Sequence, residues 1–169
     1  MSPAERTPLA LAKEQALRLL AARPRTEAQI RERLARDGLA EVASEVVAWL
    51  LRLGYLDDDA YARTRARSLT APGRLGPRLA ERRLVTAGID PARARQAVAE
   101  ALRGGEEESP GGEPAETRLA RALALRRTGG GPLDDLDERA RARLARFLLG
   151  RGFSGPAVAR VLGVCLDAE

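Results

Sequence analysis

The chain has no histidine, a single cysteine and a single lysine among its 169 residues. Without imidazole there can be no His-based triad, no His general base and no His-held metal. One thiol, Cys165, rules out an internal disulfide and a cysteine-ligated zinc cluster. In RVLGVCLDAE it reads as a small buried hydrophobe. Aromatic residues make up 3% of the chain, so a core has to be built from Ala, Leu, Val and Ile, side chains that suit close helix packing. No run of about 18 apolar residues is present to span a bilayer. The opening MSPAERTPLALAKEQALRLL lacks the apolar stretch and cleavage site of a secretory signal, so the expected location is the cytoplasm and no membrane partner is expected.

What is abundant is arginine. The net charge is +5, with Lys13 as the lone lysine. GC-rich coding is the bland cause of that ratio. Physically, the planar guanidinium makes bidentate bonds to phosphates and carboxylates, which points to a nucleic acid or an acidic protein surface as partner. The charge is uneven. Residues 60–103 hold ten basic groups against three acidic, residues 104–117 hold none against five, and residues 1–59 are nearly balanced at nine against ten.

No β-branched run alternates with polar residues, whereas Leu, Ala and Arg recur at spacings of three and four between stop signals. The pattern predicts helices over about 9–22, from Thr26 to Gly38, 40–53, from the aspartates to the APG at 71–73, and from Pro77 to Gly88. Others follow from Asp90 to about Arg103, then over about 116–127, 136–149 and 155–167. GGEEESPGGEP at 104–114 has no apolar residue and reads as a solvated linker.

Nine helices and one linker invite a search for a repeat of three. IRERLARDGL, LAERRLVTAGI and RLARFLLGRGF each place a Leu (Leu34, Leu84, Leu148) four residues before a Gly (Gly38, Gly88, Gly152), with a large apolar residue after it. Each Gly suits a helix C′ position of positive φ. The expectation is an all-α protein of three tandem three-helix units forming an elongated, curved body: residues 1–54, 55–103 and 116–169, with 104–115 as the acidic linker.

In GYLDDDAYA, residues 54–62, three adjacent carboxylates raise the choice between a metal site and a helix start. Metal binding needs oxygen ligands converging from a spaced loop or from separate segments. Helix capping needs only one Asp at the N-cap and acids in the first turn. LDDLDE at 133–138 repeats the device before another helix, which favours capping. No metal, cofactor or catalytic group is expected.

LRLGYLDDDAYARTRARSL followed by GRLGPRLAERRLVTAGID resembles the central signature of the RecX family, bacterial regulators of the RecA recombinase. The positions that carry it are Gly54, Tyr55, Leu56, Asp57, Asp58, Tyr61, Ala62, Gly76, Pro77, Leu84, Gly88 and Ile89. The likeness extends over about residues 14 to 164, and departs from the family in the acidic linker and the scarcity of lysine and aromatics. It implies a non-enzymatic, all-helical modulator that lies in the groove of a RecA filament on single-stranded DNA; the chain itself is expected to be a monomer. It further implies inhibition of recombinase, ATPase and co-protease activities, and so control of recombinational repair and the SOS response.

Residue spacing at about 100° per position separates the faces independently. Ala62, Ala66 and Leu69 share one side of the fourth helix, with Arg63 and Arg67 pointing away. Ala80, Leu84 and Ala87 face opposite Arg78 and Arg82, and Leu144, Phe147 and Leu148 leave Arg139, Arg143 and Arg146 in an outward row. With Arg74 in the preceding loop, these arginines are the candidate partner or nucleic-acid contacts, a solvated helix face being the bland alternative for each. Direct DNA contact would be weak and backbone-driven, because few aromatics, Asn or Gln are available to read bases. Tyr55, Tyr61, Trp49, Phe147 and Phe153 are assigned to the core. The competing reading is a helix-turn-helix built from Thr26–Asp37 and Val42–Leu53 and acting on DNA directly.

Overall fold

The structure, a computed structural model, describes residues 7–104 and 112–163. Among these there are nine α-helices and no strand. They are α1 (Pro8–Ala22), α2 (Glu27–Arg36), α3 (Ala40–Arg52), α4 (Asp58–Leu69), α5 (Pro77–Thr86), α6 (Pro91–Arg103), α7 (Ala115–Arg127), α8 (Glu138–Gly150) and α9 (Gly155–Leu162).

Most of these helices begin where a side-chain oxygen satisfies the free N–H groups of the first turn. Thr7, Thr26, Asp57, Asp90, Asp137 and Ser154 all accept from a backbone N–H two or three residues on. Two boundaries differ from the sequence expectation. The eighth helix starts at Glu138 rather than Leu136, because Asp137 takes the cap and Leu133 turns into the core. The ninth ends at Leu162, where Gly163 adopts φ +63, rather than near Asp167. Cys165 and most of the acidic linker lie outside the described residues.

The three glycine-ended segments close identically. Leu39, Ile89 and Phe153 donate their N–H to the carbonyls of Leu34, Leu84 and Leu148 at 2.8, 3.1 and 3.2 Å. This is the six-to-one bond of a Schellman ending, and the glycine within it has φ +76, +92 or +90. All three leucines are fully buried, each in its own core. The first core joins α1–α3 around Ile30, Val46 and Leu50, the second joins α4–α6 around Ala66, Ile89 and Val98, and the third joins α7–α9 around Leu123, Phe153 and Val158. Leu56 of the aspartate motif packs in the first of these, so the motif straddles two units.

The units meet through their middle helices, end against start. The start of α2 docks on the end of α5: Thr26 Oγ1, fully buried, donates to the Ala87 carbonyl at 2.5 Å and accepts from Gln29 N at 3.2 Å. The start of α5 docks on the end of α8 in the same way. Gly76 N donates to Arg151 O at 2.9 Å and Arg78 N to Gly152 O at 3.2 Å. Each joint sets the positive end of one helix dipole against the negative end of the next. The contacts leave no room for a side chain. A Cβ built on Gly152 would lie 2.4 Å from Leu79 N, and one built on Gly76 would lie 2.5 Å from the Gly152 carbonyl.

Thr26 therefore serves a helix cap and a unit joint at once. Thr26→Val is expected to lower stability by about 1–3 kcal/mol, from the lost cap and the lost bond to Ala87. Thr26→Ser, which keeps the hydroxyl, should recover most of it. Urea denaturation of the two variants checks this; equal losses would mean that the hydroxyl is idle.

Candidate functional site

The three aspartates have three separate structural tasks. Asp57 Oδ1 accepts from Ala60 N at 2.8 Å and caps α4. Asp58 Oδ1 reaches across to Glu27 N at 3.0 Å, tying the start of α4 to the start of α2. Asp59 pairs with Arg93 of α6 at 3.4 Å. Burial raises the pKa of Asp58 above the usual carboxylate value, with Glu27 and Asp59 adding to the rise; the Glu27 N–H and Arg93 oppose it. The carboxylates thus diverge to three partners, and among the described residues no three acidic or sulfur groups converge as metal ligands.

Around them the rest of the signature is structural as well. Ala62 is buried in the second core, Tyr61 packs at its edge, Pro77 opens α5, and Gly54 ends α3 with φ +72. Tyr55 departs from expectation. It is 58% exposed rather than in the core, because the turn at Gly54 sends the next residue outward while Leu56 turns inward. Phe153 is buried, and Trp49, Tyr61 and Phe147 are half-buried against the three cores.

All eight candidate arginines are exposed. None has an ion-pair partner among the described residues, unlike the arginines of α2, where Arg31, Arg33 and Arg36 pair with Glu27, Asp37 and Glu32. In the helix-turn-helix reading the second helix would read the DNA, yet α3 carries Arg52 as its only basic residue and the first helix, α2, is internally neutralised. The eight are not gathered into a single cavity. Arg63 and Arg67 lie on α4, and Arg67 lines a groove between the second and third units. Arg82 lines a shallow groove with Arg95, and Arg143 lines another with Arg127. Arg139 and Arg146 flank Arg143 on α8. Arg74 and Arg78 bracket the α5–α8 joint, whose other side is Arg151.

Sequence reasoning missed Arg126, Arg127 and Arg151. The last two stack on Phe147, with guanidinium carbons 5.3 and 5.0 Å from its ring centre. Arg126 lies over Gly73, where a built Cβ would meet its Nη1 at 2.6 Å. A spacing rule applied within one helix could have paired Arg151 with Phe147 four residues before it, but not Arg127 with Phe147 or Arg126 with Gly73, which cross elements. The geometry as a whole offers cationic surface without an enclosed reaction centre, suited to recognising an anionic polymer or an acidic protein face.

Comparison with known proteins identifies relatives of the same construction. The family model described as RecX, first three-helix domain, matches residues 12–59, and that described as RecX, third three-helix domain, matches residues 115–162. Regulatory protein RecX of Thermus thermophilus is 37% identical over 158 residues, covering 90% of this chain and 86% of that protein. Its counterpart in Vibrio cholerae serotype O1 is 41% identical over 80 residues, a match that takes in 44% of this chain and 53% of the relative's length, so it spans about half of that protein. The crystal structure of RecX from Lactobacillus salivarius superimposes with a TM-score of 0.72 at 19% identity, covering 92% of this chain and 95% of that one, which is a likeness of fold.

Proposed function

Since the chain belongs to the RecX family, we propose that it is a cytoplasmic, non-enzymatic regulator that binds a RecA filament on single-stranded DNA as a monomer and inhibits its recombinase, ATPase and co-protease activities. The observation that carries this reading is the set of eight exposed arginines on the second and third units, none of them neutralised within the described chain. Guanidiniums left unpaired on a rigid helical body are ready to bond bidentately to carboxylates or phosphates without first breaking an internal ion pair. Spread over two units rather than sunk in one pocket, they fit an extended surface such as a polymer groove. Binding through them would slow ATP turnover or strand exchange by holding adjacent protomers in one arrangement.

The test is ATP hydrolysis by the cognate RecA on single-stranded DNA with this protein titrated in, beside a titration onto the same DNA without RecA. Inhibition is expected at concentrations well below those that coat the bare strand. Full coating of the strand with hydrolysis unchanged would overturn the proposal in favour of a plain DNA-binding module.

A further inference from the structure

A groove of about 970 Å3 lies outside the arginine rows, between the end of α1 and the face of α4. Its walls come from two units. Leu20 leans on the first core and Tyr61 on the second, and the turn carrying Tyr55 forms one end. The α1 side is apolar, with Leu17 37% exposed beside Leu20 and Pro24. Leu17 and Pro24 lie exposed on this concave surface.

The rim is cationic. Arg23 and Arg25 follow α1, and Arg65 projects from α4. Asp57 is the single acid among the lining residues, and its Oδ1 is already engaged by Ala60 N as the α4 cap. Arg25 stands out among the three, because its Nε is buried and has no hydrogen-bond acceptor among the described residues. Burial, with the nearby charges of Arg23 and Arg33, lowers its pKa from the ordinary guanidinium value. A partly exposed guanidinium held among like charges would be stabilised by an incoming carboxylate.

We propose that this groove docks an acidic peptide segment carrying one large apolar side chain, the apolar group seated on Leu17, Leu20 and Tyr61 and the flanking carboxylates on Arg23, Arg25 and Arg65. Two features select this occupant over a nucleic acid. The wall of aliphatic side chains gains from burying an aliphatic or aromatic residue, whereas successive bases need a run of exposed rings, and Tyr55 alone is exposed here. Three guanidiniums around an apolar floor match a short acidic–apolar–acidic pattern rather than an even line of phosphates. The site shares no residue with the eight arginines of the rows, so its success or failure is separate from that of the filament reading.

The test is fluorescence polarisation with the full chain and three labelled probes. One is a peptide with a Leu-Phe centre flanked by glutamates, another is the same peptide with the centre changed to Ala-Ala, and the last is an oligo-dT of similar length. The Leu-Phe peptide is expected to bind at least ~10-fold more tightly than the Ala-Ala form. Arg23→Glu with Arg65→Glu, both on exposed side chains, should weaken it by a similar factor, as should Leu17→Glu, while Arg139→Glu with Arg143→Glu leaves it unchanged. Circular dichroism of each variant verifies the fold, and Tyr55→Ala, at a solvent-facing ring, supplies a variant that does not touch a core. Indifference to the peptide centre, or to all three groove variants, overturns the proposal. So does oligo-dT binding that the groove variants abolish while peptide binding survives.

Discussion

Gly152→Ala is expected to destabilise the protein by about 2–5 kcal/mol and to part the second unit from the third, whereas Gly38→Ala should cost only about 1–2 kcal/mol. Both glycines end a middle helix in the left-handed region, at φ +90 and +76, so both substitutions incur the same backbone strain. Their surroundings differ. Nothing lies within 4 Å of a Cβ built on Gly38, which ends α2 at the free end of the array. At Gly152 the built atom falls 2.4 Å from Leu79 N and 2.5 Å from Leu79 Cβ, so backbone must move. Gly88 is the instructive intermediate. Its built Cβ meets the Ala28 methyl at 2.2 Å but the Ala28 Cα only at 3.6 Å, so Ala28→Gly should rescue Gly88→Ala in part. No trimming of Leu79 can rescue Gly152→Ala in the same way, because its N–H is itself in the way. Urea denaturation gives the stabilities and solution scattering the separation of units. Equal losses at all three glycines would show that conformational strain acts alone and that the joints are loose.

That ordering marks where sequence reading stops. The helices were legible because their starts and stops are local: Asp57, Asp90 and Ser154 each bond two or three residues ahead, and Gly88 closes a turn begun at Leu84. The repeat was legible for the same reason, since one Leu–Gly–apolar ending recurs three times. The inner and outer faces of α4, α5 and α8 followed from 3.6-residue periodicity, which is why Ala66, Leu84 and Leu148 are buried and their arginine neighbours exposed. The joints are different in kind. Thr26 reads as a cap from its neighbours, but its second bond crosses 61 positions to Ala87. Asp58 reads as one more first-turn acid, yet it accepts from Glu27, 31 positions away. Gly76 carries no local sign that it must lie against Gly152. Tyr55 lies beside a helix end, which is why the core is expected for it, and the adjacent positive-φ glycine reverses that. The groove beside α1 was equally hidden, because its leucines and its arginines belong to residues that look like ordinary helix ends until two units are set side by side.

Reversing the second-unit arginines, Arg63, Arg67 and Arg82 together to Glu, is expected to raise the concentration needed for half-inhibition of RecA by about 100-fold. Each reversed charge then contributes on the order of 1 kcal/mol. The fold should tolerate the change, because all three side chains are exposed and none is paired among the described residues. The comparison that gives the result meaning is Arg31→Gln with Arg36→Gln on α2. Those two arginines are as exposed, but they are committed to Glu27 and Glu32, so losing them should leave inhibition within about twofold. If the rows act, the third-unit triple Arg139→Glu, Arg143→Glu and Arg146→Glu should also weaken inhibition, since an extended partner is gripped along both units. The salt dependence then separates the two anionic partners available on a nucleoprotein filament. Contacts to phosphates release condensed counterions, so each one lost flattens the salt slope of binding by about 0.7 unit on a single strand. Contacts to carboxylates of a protein groove are screened more gently, and the slope should change little while affinity falls. A triple reversal that leaves inhibition intact would remove the arginine rows from the mechanism and return them to the role of solvated helix faces.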